Sequence, residues 1–288
     1  MAEGTRGIRF GFSHAARAAP TSAPPKSVVA TVTGVAPTEN GRGHAGHAHL
    51  SRARRRNDGA LPARRRTLMS STYFRVTDLS ATSPVILHAP HGGQLIPTEH
   101  LPAYVISSAE LEAEKMNAVG MGVLYTHGSH GQEIRDLART DQTALMHHFK
   151  SYSAALTDLV NATLRQHGRA LIIDMHSYPE HALAYELHAD RPRPELCIGF
   201  EQFHAPADFV HTVTDAFAHL HALPNGPFAG AYVPLEHYGT DSRVNAVMLE
   251  IRRDLYMDED TLALKPAPFR ELQESLQKLV NTLAGEPQ

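Results

Sequence analysis

Cysteine is nearly absent from this sequence: the 288 residues contain only Cys197, so an internal disulfide is excluded. Such a chain suits a reducing compartment, and we expect a cytoplasmic protein. Long apolar runs are also missing, because no stretch reaches 18 consecutive apolar residues, and a transmembrane helix is therefore not expected. The apolar fraction of 42% still provides for one sizeable core, or for two small ones at most.

Three motifs of common enzyme classes are missing as well. There is no Gly-x-Ser-x-Gly elbow, no Gly-x-x-x-x-Gly-Lys phosphate loop, and no Gly-x-Gly-x-x-Gly that follows a predicted strand. The sequence therefore gives no serine-hydrolase or nucleotide-binding signal. Cys197 lies in an apolar run, which is typical of a core residue rather than a nucleophile.

Acidic residues are scarce in the first part of the chain. Residues 1–70 carry 12 Lys and Arg against 3 Asp and Glu, whereas residues 71–288 carry 15 against 27. The first segment is rich in Ala, Pro, Gly and Arg and lacks apolar periodicity, so we expect a disordered basic extension. We expect residues 71–288 to form one folded domain.

The basic extension has three other interpretations. Its charge would suit nucleic acid or an anionic membrane, its Arg-rich composition loosely resembles a transit peptide, and its tract at 43–49 would hold metal weakly through three histidines. We favour a simple unstructured extension, with Met69 as an alternative start, and we expect neither a nucleic-acid nor a membrane partner.

The rest of the chain alternates between strand and helix patterns. Short apolar runs bounded by turn residues predict strands at 85–87, 170–173, 184–187, 196–198 and 247–251. Helical spacing predicts helices at 107–124, 151–167, 207–221 and 269–283. This alternation is typical of a three-layer α/β/α domain.

Two of the predicted strands end at a histidine. His91 follows the first strand and precedes two glycines, and His176 follows the second in an Asp-x-His-Ser sequence. Ligands of α/β sheets bind at the carboxyl ends of the strands, so these imidazoles are candidate zinc ligands. Asp174 is placed to fix the tautomer of His176. The alternative is that each histidine is only a hydrogen-bonded residue at a strand end.

Charged residues in apolar surroundings supply further candidates. Glu250 lies inside an apolar strand, where a carboxylate must be paired, bound to metal or catalytic to offset its desolvation. The alternative for Glu250 is an ion pair with a nearby arginine. Arg135, in a cluster at 133–139, would suit a substrate carboxylate, although a solvated strand is the simpler interpretation. The turn-rich segment at 225–232 would form a pocket wall or only a turn.

Four segments in the same order resemble the N-formylglutamate amidohydrolase family. They are His-Ala-Pro-His-Gly-Gly at 88–93, Ile-Ile-Asp-Met-His-Ser-Tyr-Pro at 172–179, Asn-Gly-Pro-Phe-Ala-Gly-Ala-Tyr at 225–232 and Met-Leu-Glu-Ile-Arg-Arg-Asp-Leu-Tyr-Met-Asp at 248–258. The resemblance runs from about residue 84 to 259 and does not include residues 1–70. It implies a mixed sheet between helix layers, similar to zinc carboxypeptidases.

The resemblance also implies an activity and roles for individual residues. Members hydrolyse N-formyl-L-glutamate to formate and L-glutamate in bacterial histidine breakdown, and relatives act on other N-acyl amino acids. By resemblance, His91 and His176 bind one zinc ion and Glu250 is the general base or acid. Arg139, in an Asp-x-x-Arg motif, would hold a substrate carboxylate. We add Arg135 as a candidate oxyanion donor and assign substrate contacts to two residues of the 225–232 segment: Asn225 and Tyr232.

One departure from the family pattern concerns the third metal ligand. Members carry a Thr-Asp-x-x-x-Asp pattern in the helix after the first histidine motif, and this chain has Ala118 and Gly122 where the aspartates are expected. Glu110 and Glu114 lie one to two turns earlier on the same predicted helix, four residues apart on one face, and either could substitute; Glu114 is our candidate for the third ligand. The sequence thus predicts a zinc-dependent amidohydrolase. The alternatives are a hydrolase of another N-acyl amino acid and a non-catalytic family member that binds a small ligand.

Overall fold

The computed structural model describes residues 30–34, 66–70, 74–78, 83–91, 96, 98–114, 124–183, 186 and 189–285. Its strands are β1 (Ala30–Gly34), β2 (Arg66–Ser70), β3 (Phe74–Asp78), β4 (Val85–Ala89), β5 (Ala170–Tyr178), β6 (Leu196–Gly199), β7 (Ala222–Pro224) and β8 (Val244–Arg252). Its α-helices are α1 (Ser108–Glu114), α2 (Gln142–His167), α3 (Ala207–Ala216) and α4 (Pro266–Ala284).

The strands form one mixed sheet in the order β2-β3-β1-β4-β5-β8-β6-β7. Strands β1, β4, β5 and β8 are parallel neighbours, whereas β6 is antiparallel to β8 and β3 is antiparallel to β1 and β2. Central parallel strands are covered on both faces, which is why β4, β5 and β8 contain nearly continuous apolar runs. The carboxyl ends of these three strands therefore share one edge of the sheet.

Helices cover both faces of the sheet and give the fold three layers. On one face, Ala155, Leu156 and Val160 of α2 pack against Ile86 and Ile172. On the other face, alternate residues of the same strands pack against α3 and α4, including Leu87, Ile173, Phe209, Leu272 and Leu276. The predicted three-layer α/β fold with a mixed central sheet is confirmed.

The helix ends follow local capping chemistry. Ser107 and Glu110 form a reciprocal capping box at the start of α1, with N–H···O distances of 3.2 and 2.8 Å. The Asp141 side chain accepts from the Ala144 N–H at 2.9 Å and starts α2 nine residues before the predicted position. Gly168 ends α2 in the left-handed region at φ 72°. Helix α3 ends at Ala216, five residues before the predicted end.

Some predicted segments lie partly outside the described residues. Within 1–70, the ten residues of β1 and β2 belong to the sheet, which differs from the predicted disorder. The reason is backbone pairing: β1 pairs with β3 and β4, and β2 pairs with β3. The other residues of 1–70 are outside the described part, and the division at residue 70 stays a prediction. The continuation of α1 after residue 114 and all of the 184–187 strand except Glu186 also fall outside it. Glu186 itself is not in a strand. In the described part of the chain, no helix is both long and apolar enough to cross a membrane.

We expect Gly199→Ala to destabilise the sheet next to the candidate site. A Cβ at this position of β6 would lie 2.4 Å from the Gly230 carbonyl oxygen and 2.5 Å from the Met248 Cε. The Met248 end is flexible, but the carbonyl is backbone, so the variant should lose about 1–3 kcal/mol of unfolding free energy. Urea denaturation measures this loss. Gly226→Ala is the control, because the nearest atom to its added Cβ is 3.8 Å away; equal stability of the two variants would contradict the clash.

Candidate active site

Strand register brings the polar side chains of the candidate site together. His88 on β4 is the register partner of Asp174 on β5, and His176 on β5 is the register partner of Glu250 on β8. Successive residues of a strand point to opposite faces, so Asp174 and His176 share one face. The two pairs therefore lie side by side near the carboxyl ends of three parallel strands.

This face changes from apolar to polar along the strands. Ile86, Ile172 and Ala246 belong to the core under α2. The same face carries His88 and Asp174 two residues further along β4 and β5, and Glu250 four residues further along β8. The strands thus hold the polar groups on a rigid apolar base, which suits a site that needs fixed geometry.

Asp174 is the centre of a buried hydrogen-bond network. The Nδ1–H of His88 donates to Asp174 Oδ1 at 2.7 Å, and the Tyr232 backbone N–H donates to Asp174 Oδ2 at 3.2 Å. The His88 Nε2 lies 2.6 Å from the Tyr152 hydroxyl. Burial raises the pKa of Tyr152, so its hydroxyl stays protonated and can donate to this nitrogen. Helix α2 is thereby linked to the sheet through a chain of polar contacts.

His176 lies between two carboxylates. Its Nε2 is 3.1 Å from Asp174 Oδ1 and its Nδ1 is 3.7 Å from Glu250 Oε1. Burial alone would lower the pKa of His176, but Asp174, aided by Glu250, raises it to about 9. Burial also acts to raise the pKa of Asp174, and the neighbouring His88 and His176 outweigh it, so the carboxyl stays ionised.

Glu250 is buried and only partly satisfied. Its Oε2 has no hydrogen-bond partner within the described residues. Desolvation raises its pKa to about 7, while the nearby His176 acts in the opposite direction. A carboxyl group with a pKa near neutrality exchanges a proton readily at physiological pH, which is the property required of a general acid or base.

His91 completes the group of polar side chains. Its ring centroid is 4.9 Å from that of His176, in an edge-to-face arrangement. Desolvation of the ring and the adjacent His176 lower the pKa of His91 to about 4, although part of the residue faces solvent. His91 is therefore neutral at pH 7, and a neutral imidazole has a free lone pair for a metal.

Arg253 connects this group to a cavity of about 220 Å³. It lies close enough to Glu250 and His91 to lower the pKa of both, and its Nε donates to Ser177 Oγ at 3.4 Å. His181 and Glu259 line the same cavity. The wall of the cavity is therefore of mixed charge, with Arg253 beside the carboxylates of Glu259 and Asp260, and Arg253 is the group in it that suits an anionic ligand.

Of the two residues of the 225–232 segment that were predicted to contact substrate, Tyr232 borders the hydrogen-bond network of Asp174. The Tyr232 ring centroid is 5.4 Å from that of His88, and its hydroxyl lies 2.9 Å from Ser153 Oγ. Asn225 has φ 51° and its Oδ1 accepts from the Phe200 N–H at 2.8 Å and the Gly230 N–H at 3.4 Å. The amide oxygen of Asn225 thus organises the loop, and the substrate contact of Asn225 stays a prediction.

The other three predicted site residues lie outside the central strands that carry His176, and their roles stay predictions. The guanidinium of Arg135 is buried over two aromatic rings, 4.8 Å from the Tyr104 centroid and 4.4 Å from the Tyr125 centroid. Arg139 is exposed at the end of a short 3-10 helix, Leu137–Arg139, whose start is capped by Asp136. Glu114 ends helix α1, and its side chain lies outside the described part of the structure.

Sequence reasoning missed three members of the site: His88, Tyr152 and Arg253. The two-residue spacing of Asp174 and His176, and the position of His88 three residues before His91, were available signals for a polar strand end. Tyr152 lies on α2 among apolar residues whose spacing indicates only a core-facing helix.

A second set of side chains in the described residues has metal-ligand geometry. Glu99, His100 and His148 each offer one ligand atom, and these three atoms lie within 4.8 Å of one another.

A family model described as FGase, N-formylglutamate amidohydrolase, matches residues 106–257, a range that contains Asp174, His176 and Glu250. The chain is similar to a crystal structure of N-formylglutamate amidohydrolase from Ralstonia eutropha JMP134, with 24% identity and a TM-score of 0.48. That match covers 56% of this chain and 60% of the other, so it spans less than two thirds of that protein. Among curated proteins there was no match.

Proposed function

The chain belongs to the N-formylglutamate amidohydrolase family, and from this premise we propose that it is a zinc-dependent amidohydrolase that cleaves N-formyl-L-glutamate to formate and L-glutamate. The observation that carries the proposal is the placement of His176 between Asp174 and Glu250, with His91 against it. We extend the proposal to a cytoplasmic protein that acts in histidine catabolism, as the family resemblance implies.

The residues present fit a divalent metal. His91 and His176 are adjacent imidazoles, and the Glu250 Oε2, which has no partner in the described part of the chain, is a buried acceptor that a bound water or ion would satisfy. His91 and His176 would hold the metal, with Glu114 as the proposed third ligand, and His176, whose pKa is about 9 without metal, would lose its proton on binding. A metal of this kind, when bound, acidifies water and polarises an amide carbonyl.

The side chains of the network divide the remaining work. Asp174 holds His176 through Nε2 and fixes its ring orientation. Glu250, with a pKa of about 7, takes a proton from the attacking water and returns it to the leaving amine. Because the strands fix both groups, little reorganisation is needed when charge develops on the substrate.

Arg253, near the site, supports a carboxylate-bearing substrate. Arg253 lines the cavity and lies beside Glu250, which suits a carboxylate of the amino-acid part. Arg139, the residue assigned to this task by resemblance, is exposed on its short helix. We therefore propose that Arg253 binds the substrate carboxylate. For Arg135 we propose a positioning role, because its guanidinium packs on the rings of Tyr104 and Tyr125.

We expect His176→Ala to lose bound metal and formate release together. Removing one of two adjacent imidazoles opens the metal site, and activity should fall at least about 100-fold. Metal analysis and a formate assay with N-formyl-L-glutamate measure the two effects on the full chain, and chelation of the wild type should produce the same loss, reversed by added Zn²⁺. His211→Ala, an exposed change on α3, is the control. Full activity in His176→Ala would refute the proposal.

A different N-acyl amino acid is the second candidate substrate. The cavity beside Arg253 provides for a carboxylate, and its residues do not by themselves define the acyl group. A panel of N-formyl, N-acetyl and longer N-acyl amino acids separates the two by their kcat/KM values. Absence of turnover with the whole panel, together with no bound metal, would favour a non-catalytic member of the family.

A further inference from the structure

We propose that Glu99, His100 and His148 form a second site for a divalent transition metal, separate from the His91–His176 pair. The first two residues lie in a short 3-10 helix, Thr98–Ala103, and the third lies in the first half of α2. The site thus joins two parts of the chain that are distant in sequence. Two imidazoles and one carboxylate are a ligand set that zinc accepts, with a position left for water.

The spacing of the ligand atoms is close to that around a bound metal ion. The ligand atoms of the three residues lie within 4.8 Å of one another, and the rings of His100 and His148 are 5.7 Å apart at 88°. Ligands about 2.0–2.2 Å from one metal ion lie about 3–4 Å from each other, so an approach of about 1 Å closes the set. Glu99 is exposed, and its flexible side chain can supply that movement.

An independent observation comes from His100. The residue is 3% exposed, and its Nε2 has no hydrogen-bond partner among the described residues. A buried imidazole nitrogen without a partner is costly, because it has lost water and gained nothing in exchange. A metal ion, which also brings its own water ligands, removes this cost.

The charge of the cluster suits a divalent ion. The carboxylate of Glu99 supplies a negative charge beside the two imidazoles of His100 and His148.

The position of the cluster gives the metal a structural role. His148 precedes Tyr152 by four residues, so both lie on one face of α2, about one turn apart. Tyr152 contacts His88 in the candidate active site. A metal that ties the 98–103 helix to α2 therefore stabilises the wall of the site from outside.

The test is equilibrium dialysis of the full chain against Zn²⁺, with Glu99→Gln, His148→Ala and His147→Ala compared with the wild type. We expect the first two to bind one Zn²⁺ fewer than the wild type, or to bind that ion at least about 10-fold more weakly. His147→Ala is the matched control, because His147 is the exposed neighbour on the same helix and should keep the wild-type stoichiometry. The histidines of segment 43–49 are common to all the proteins, so they cancel in the comparison.

A fourth protein, His148→Ala/His176→Ala, separates this site from the active-site metal. If both sites bind zinc, the double variant binds two ions fewer than the wild type. If only the Glu99–His100–His148 site binds zinc, His176→Ala alone keeps the wild-type stoichiometry and the double variant binds one ion fewer. Unchanged stoichiometry and affinity in Glu99→Gln would overturn the proposal even if His148→Ala fails to fold, because Glu99 is exposed and its change to glutamine conserves shape.

Discussion

Replacing Glu250 with glutamine is expected to lower kcat for formate release by about 100- to 10,000-fold. Glutamine has nearly the same shape but cannot take a proton from water. Burial raises the pKa of Glu250 to about 7, close to neutral pH, against the opposing effect of His176, whose Nδ1 lies 3.7 Å from Glu250 Oε1. Because its effect is on chemistry, KM should change much less than kcat.

The assay has a simple control. Glu236→Gln changes an exposed glutamate that accepts hydrogen bonds from Asn161 and should leave turnover within about twofold of the wild type. If Glu250→Gln retains more than a tenth of the wild-type kcat with its metal bound, Glu250 is not the proton carrier and the base must be sought elsewhere.

The same variant should change the pH dependence of stability in the metal-free protein. The folded pKa of Glu250, about 7, lies above its ordinary value of 4.5, so its contribution to stability is present below about pH 4.5 and is lost as pH rises through 7. Relative to the wild type, Glu250→Gln should therefore gain unfolding free energy between pH 5 and pH 8, by at most about 3 kcal/mol. Urea denaturation in a chelator measures the difference, and a difference independent of pH would contradict the raised pKa.

The central strands and the positions of His91 and His176 near strand ends were predictable because their sequence signals are local. Apolar runs marked β4, β5 and β8, since strands buried on both faces need continuous apolar sequence. The Ser107–Glu110 box marked the start of α1 because both partners lie within one turn. The spacing of Asp174 and His176 placed them on one face by the period of a strand alone.

The rest of the site depends on register between distant strands. His88 lies at the end of an apolar run, three residues before His91, and its pairing with Asp174, 86 residues later, identifies its partner. The antiparallel insertion of β6 beside β8 likewise has no local signal. Such pairings are decided by tertiary packing, which a single sequence does not display.

Arg253 shows why adjacent residues of the same type could not be told apart. Arg252 closes β8 and pairs with Asp254 at 2.7 Å, whereas Arg253 begins a 3-10 helix and turns toward Ser177. The two-residue period of a strand stops at this junction, so counting along the sequence from Glu250 assigns the wrong arginine to the site face.

Asp174→Asn is expected to have the largest effect on stability, about 3–5 kcal/mol of unfolding free energy. Asp174 is 2% exposed and receives contacts from His88, His176 and the Tyr232 backbone. Asparagine keeps the size but offers one acceptor oxygen instead of two, and its NH₂ group faces donors. Loss of the charge also leaves Glu250 as the one carboxylate beside His176 among the described residues.

The comparison that isolates this effect is Asp241→Asn. Asp241 pairs with Arg243 at 2.7 Å, but the arginine is largely in water, so this variant should lose less than about 1 kcal/mol. Urea denaturation of both variants tests whether the cost comes from the buried network. Since the Tyr232 N–H is held only by Asp174 Oδ2 among its described contacts, Asp174→Asn should also loosen the 225–232 segment, detectable as faster amide exchange at Tyr232. Equal losses in the two variants would mean that Asp174 is an ordinary ion-pair partner, and the polar network would then owe its geometry to the strands alone.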